Sequence, residues 1–202
     1  MKNYVIEKSS YNHWQQLDPI YKEFNYVLTS DEKRFDNFRV NIVDVDDLPD
    51  CTDVDPKERN LVVHTMQIFN NKSEIDTDLK QALGSIYDNI AKLPGIEGCD
   101  AFFHSPQTWV PPHTHEPWRP DYDPTPHYNI YLPLLVPGKN VEESGLKVGE
   151  LTYQIEQGVP MIFDGNVPHS SWNYKNEWCY GIIFDISKKF FDKEIPYENF
   201  YS

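Results

Sequence analysis

Histidine is the residue type in this sequence whose spacing suits chemistry best. The segment Pro111-Pro112-His113-Thr114-His115 sets two imidazoles at i and i+2. In an extended chain those side chains share one face, so both can reach a single ion. A further histidine closes the segment Phe163-Asp164-Gly165-Asn166-Val167-Pro168-His169, after a strand and a turn. Between His113 and His169 lies enough chain for several strands, and a β-barrel can bring such strand ends together. Neutral imidazole suits iron, copper, nickel and zinc. Three ligands on one side of an ion leave positions open for substrate and oxygen, which is a catalytic arrangement; structural zinc sites are usually closed by four. No cysteine stands close in sequence to these histidines, which also disfavours structural zinc. His13, His64, His104 and His127 are assigned no ligand role.

Other reactive patterns are absent: the sequence has no GxSxG, P-loop, GxGxxG or HExxH. Cys179, in an apolar run, is expected to be a buried, inert thiol rather than a nucleophile partnered by His169.

The elements that must hold the histidines are mostly strands. Ala101–Phe103, Tyr128–Val136, Glu150–Gln154, Pro160–Phe163 and Cys179–Ile186 are short β-branched or aromatic runs, separated by turn residues such as Pro137-Gly138 and Asp164-Gly165. Such strands without intervening helices predict a mainly β fold, a double-stranded β-helix of the jelly-roll, cupin-like kind. The first half is more mixed. Trp14 to Phe24 has helix-like spacing interrupted by Pro19, and Val40–Val43 and Leu61–Ile68 are strand candidates. Asp76 to Leu93 predicts one helix, with Leu79, Leu83, Ile86, Ile90 and Leu93 along one face and Pro94-Gly95 stopping it. The expected organisation is a single domain over residues 1–202. Residues 1–98 give helical and strand support, and 99–190 form the jelly-roll core that carries the metal site.

Bulk properties narrow the partners. With 18 basic and 32 acidic residues the formal charge is -14, which repels phosphate backbones and argues against nucleic acid. Asp44, Asp46, Asp47, Asp50, Asp53 and Asp55 crowd one stretch, which lacks the glycine and terminal glutamate of an EF-hand and is expected to be a solvated loop rather than a calcium site. Cys51, Cys99 and Cys179 are odd in number and far apart, so no disulfide framework is expected and a reducing compartment fits. No signal-like or membrane-spanning run is present, and the expected location is cytoplasmic.

Residues from about 101 to 187 resemble the aspartyl/asparaginyl β-hydroxylase family of iron(II)- and 2-oxoglutarate-dependent oxygenases. The matching pieces are Pro112-His113-Thr114, Tyr131-Leu132-Pro133-Leu134-Leu135-Val136-Pro137, Val148-Gly149-Glu150, and Phe163-Asp164 followed by His169-Ser170-Ser171-Trp172-Asn173. The resemblance implies His113 and His169 as iron ligands and 2-oxoglutarate as co-substrate. Three features depart from the family pattern. Where related oxygenases carry a carboxylate two residues after the first histidine, this sequence has His115. It either completes a three-histidine centre or turns away and leaves two ligands. The arginine that usually meets the keto acid's carboxylate is missing near Trp178-Cys179; Lys175 is the nearest cation, and Asn129 stands where an earlier strand often carries a basic residue. The segment Glu116–Tyr128 is long and holds Arg119, a substitute anchor or a substrate contact.

The leading expectation is therefore an oxygenase hydroxylating an amino acid, a peptide side chain or a small metabolite with molecular oxygen. His113, His169 and His115 would hold iron, Asn129, Tyr131 and Trp172 would line the pocket, and Lys175 or Arg119 would meet a carboxylate. One alternative is a three-histidine iron dioxygenase that does not use 2-oxoglutarate; another is a non-catalytic jelly-roll binding protein.

Overall fold

The computed structural model describes residues 4–30, 35, 38, 40–41, 63–71, 73–114, 127–193 and 195. The acidic stretch from Asp44 to Asp55, Cys51, His115, Glu116 and Arg119 lie outside the described residues.

Among the described residues, eleven strands form two antiparallel sheets. They are β1 (Val5–Ile6), β2 (Val40–Asn41), β3 (Val63–Asn70), β4 (Ile96–His104), β5 (Thr108–His113), β6 (His127–Leu135), β7 (Ser144–Val148), β8 (Leu151–Gln154), β9 (Met161–Phe163), β10 (His169–Asn173) and β11 (Cys179–Ser187). The large sheet has the order β1-β9-β6-β11-β4-β3-β2, and the small one β5-β10-β7-β8. From β4 onward the chain passes back and forth between the two, which is the winding of a jelly roll. The expected fold class holds, and β1, β2 and β3 from the first half widen the large sheet.

The large sheet is covered on both sides. Tyr128, Ile130, Leu132, Ile182, Phe184 and Ile186 point to the helical side, into a core shared with Ile20, Phe24, Ile86 and Ile90. Tyr131, Met161, Phe163 and Ile183 point to the space between the sheets and meet Leu146, Val148 and Val167. This is why the β6 sequence is almost continuously apolar: a strand buried on both faces has no solvent side to mark with polar residues.

The helical layer comprises α1 (Leu17–Ser30), α2 (Thr77–Leu83) and α3 (Ser85–Ala91). Pro19 interrupts nothing, because it sits in the first turn of α1, where its missing N–H has no partner to lose. Asp76 caps α2, its carboxylate accepting the N–H groups of Asp78 at 2.8 Å and Leu79 at 3.0 Å. The single helix expected over Asp76–Leu93 is instead two. Gly84 separates them with φ at 57° and ψ at -127°, yet Leu79, Leu83, Ile86 and Ile90 all stay buried. No helix among the described residues is long and apolar enough to cross a membrane.

Candidate metal centre between the sheets

Among the described residues β5 is an edge strand of the small sheet and pairs only with β10. An edge strand tolerates proline, which cannot donate a ladder hydrogen bond, and β5 carries Pro111 and Pro112 next to each other. Here the register shifts. Val110 stands opposite Ser171, and His113 stands opposite His169, so two prolines face the single residue Ser170. Thr108 and Val110 face the interior opposite Asn173 and Ser171; the extra residue changes parity and turns His113 to that same face. The bulge therefore brings two imidazoles together on adjacent strands, with ring centroids 4.3 Å apart.

Both rings are held in the same way. Nδ1 of His113 lies 2.9 Å from the Pro111 carbonyl oxygen, and Nδ1 of His169 lies 2.9 Å from that of Val167. Each carbonyl can only accept, so each Nδ1 carries the hydrogen and each Nε2 the lone pair. Burial pushes the His113 pKa down, and pushes His169 well down with help from the neighbouring His113. The favoured state is a pair of neutral imidazoles, the form that binds a metal.

His169 also packs on Phe163, at 5.0 Å between ring centroids, which ties the small sheet to the interior face of the large one. On that face Phe163, Asn129, Asp185 and Gly98 stand side by side across β9, β6, β11 and β4. Asn129 is fully buried, and its Nδ2 donates to Oδ1 of Asp185 at 2.6 Å. Two residues along, Tyr131 is buried, and its hydroxyl donates to the Cys179 sulfur. Burial raises the Tyr131 pKa well above its usual value and that of the Cys179 thiol to about 12, so the phenol stays a donor and the thiol is inert.

Two expected site residues are not brought to this interior. Trp172 lies on the outer face of the small sheet: it is in register with Trp109 and Gly145, and its Nε1–H donates to the Val141 carbonyl at 2.8 Å. The alternation of β10 decides this, because His169, Ser171 and Asn173 take the inner face. Lys175 follows the far end of β10 from His169, where its Nζ meets Oε1 of Glu143 at 3.3 Å. At about 3.3 Å of rise per residue, the strand separates Lys175 from His169 by well over 10 Å. Among the described residues, no group of three or more His, Cys, Asp or Glu side chains converges as a metal site. Asp185 and Asp164 escaped attention in the sequence as residues with a part in the site. The signal was a single acid in an apolar run, in Ile-Ile-Phe-Asp-Ile and in Met-Ile-Phe-Asp.

A jelly roll with paired, oriented imidazoles between its sheets is the class that fold and site define. The chain belongs to the aspartyl/asparaginyl β-hydroxylase family, whose model matches residues 13–189. Membership makes it a hydroxylase and implies iron and 2-oxoglutarate. No curated protein matches the chain. Among solved structures it is similar to a Pseudomonas putida prolyl-4-hydroxylase, at 14% identity over 83% of this chain and 88% of that one, with a TM-score of 0.49. An oxidoreductase of the 2OG-Fe(II) oxygenase family from Burkholderia pseudomallei is 8% identical over 62% of this chain and 68% of its own, with a TM-score of 0.43. A predicted oxalate decarboxylase from Thermotoga maritima is 16% identical over 62% and 80%, with a TM-score of 0.38.

Proposed function

We propose that His113 and His169 hold iron(II) through Nε2, and that the protein hydroxylates an amino acid, a peptide side chain or a small metabolite with 2-oxoglutarate as co-substrate. The observation that carries this reading is the pair of imidazoles, His169 buried and His113 half-buried, each fixed by a carbonyl two residues before it. Neutral nitrogen donors on neighbouring strands fit a ferrous ion, and His115, two residues beyond His113, is the candidate for a third ligand. Bound iron supplies the reaction of oxygen with the keto acid. The chain supplies the rest. Val148, Met161, Phe163 and Ile183 keep water from the space between the sheets. When the keto acid binds, the single O–H of Tyr131 turns from the Cys179 sulfur to a keto-acid carboxylate oxygen, and Arg119 is the candidate cation for it.

Cys179 supports a second reading. It occupies the strand position where the family's arginine is expected, and its partner is the neutral Tyr131. A dioxygenase that binds its substrate directly on iron would need no such arginine.

Anaerobic titration with iron(II) and then 2-oxoglutarate tests both. The proposal expects one iron per chain, a visible charge-transfer band with the keto acid, and loss of both in His113→Ala and His169→Ala. Iron binding without the band favours the second reading. Absence of iron binding by the wild-type protein overturns both.

A further inference from the structure

The row formed by Asn129 and Asp185 is a strange thing to bury. An unsatisfied buried acceptor costs about 1–3 kcal/mol, and a carboxylate out of water costs more unless it is paired. The amide orientation of Asn129 is fixed, because only its NH2 can donate to the Asp185 carboxylate at 2.6 Å. Its Oδ1 therefore points away from that carboxylate, buried and with no hydrogen-bond partner among the described residues. Asp185 is 8% exposed and Asn129 0%. Both sit on the interior face, since Asn129 is in register with Phe163, and the Phe163 ring contacts that of His169. Two oxygen acceptors, one charged, are thus presented together one side chain away from the imidazole pair.

Gly98 makes the arrangement possible. It is opposite Asp185, and a Cβ there would come within 2.7 Å of Oδ2. The strand has given up a side chain so that a carboxylate can lie on the interior face.

We propose that Asn129 Oδ1 and the Asp185 carboxylate form a recognition site for a protonated amine of the substrate. An ammonium has three donors and no acceptor, so one such group satisfies the Asn129 oxygen and a carboxylate oxygen at once and brings its own counter-charge. A carboxylate has about four acceptor positions and takes such a donor beside the Asn129 amide. The net charge of -14 draws cations toward the protein. This assignment rests on the metal-site reading for its location and adds the chemical class of the substrate.

The test uses two small probes of nearly equal shape, n-butylammonium and n-butanol, titrated into nickel-loaded protein and followed by ligand-observed NMR. Nickel is chosen because it stands in for iron without reacting with oxygen. The ammonium is expected to bind at least tenfold tighter than the alcohol. Asp185→Asn should bring the two within about threefold while leaving nickel stoichiometry unchanged. Equal affinity for the two probes in the wild-type protein, or preference undiminished in Asp185→Asn, overturns the proposal. Should that variant not fold, Asn129→Ser, which removes the amide oxygen and keeps a small polar side chain, must weaken the ammonium selectively. A protein that binds nickel without discriminating the amine sinks this site alone. One that discriminates the amine but binds no nickel sinks the metal reading and keeps this one.

Discussion

Lys188 Nζ lies 2.6 Å from Oδ2 of Asp164, so the residue that follows β11 grips the turn that delivers His169. Asp164 is only 1% exposed. Its Oδ1 accepts the Asn166 N–H at 3.1 Å, and its carbonyl accepts that of Val167 at 3.0 Å. The Val167 carbonyl in turn accepts from His169 Nδ1. Ion pair, turn and imidazole form one chain of contacts. Lys188→Met leaves a buried carboxylate without its cation, at a cost of about 1–3 kcal/mol, the low end because the lysine is partly solvated. Nickel affinity should fall about tenfold as the ring loses its fixed orientation. Urea unfolding and a nickel titration measure the two effects. Unchanged metal affinity would mean that the turn holds its shape without the lysine.

Tyr131 separates the co-substrate from the metal. Tyr131→Phe removes one buried donor and keeps the ring, which packs where Gly181 leaves room for it. The lost hydrogen bond is worth about 1–2 kcal/mol, so affinity for 2-oxoglutarate should drop about fivefold to thirtyfold. Iron affinity should be unchanged, since the hydroxyl bonds to Cys179 and not to a histidine ring. A keto-acid affinity equal to that of the wild type would remove Tyr131 from the binding site.

Strand-forming runs were legible because β-branched and aromatic residues cluster between turn residues, and the motif singled out His113 and His169, whose rings the fold sets side by side. What escaped was geometry that depends on pairing. Ser144–Val148 and His169–Asn173 are strands of mixed composition, Ser-Gly-Leu-Lys-Val and His-Ser-Ser-Trp-Asn, ordered by their neighbours rather than by propensity. The face of Trp172 follows from the register of β10, which the motif does not contain. The same holds for His113, whose direction depends on a bulge that two prolines announce only once β5 is known to be an edge. Asp185 drew no notice because its partner Asn129 is 56 residues away in the chain.

Gly84 shows the same limit at a helix. The apolar stripe runs through it without a break, and only its φ of 57° parts α2 from α3. A Cβ at Gly84 would meet nothing within 4 Å, so Gly84→Ala is a purely conformational change. At φ near 57° and ψ near -127° an L side chain is strained, and the variant should lose about 1–3 kcal/mol in urea unfolding. Wild-type stability in that variant would mean that α2 and α3 merge into one helix when the glycine is gone.

His104 ends β4 at the far side of the interior, opposite Cys179 and Val63. It is buried, and burial lowers its pKa from 6.5 to about 4. The folded state therefore keeps it neutral, while an unfolded chain takes up a proton as pH falls through about 6.5. Between these values the unfolded state binds more protons, so stability rises with pH and is lost as pH falls toward 4. The full difference is about 3 kcal/mol at about 1.4 kcal/mol per unit of pH. His113 and His169 shift in the same direction, so the wild-type slope contains all three. His104→Gln isolates one of them, because glutamine does not titrate: it should be less stable than the wild type at pH 7.5 and lose less on going to pH 5. Urea unfolding at the two pH values gives the comparison. If both proteins lose the same amount, His104 is not held neutral in the folded state, and the interior end of β4 is wetter than its burial indicates.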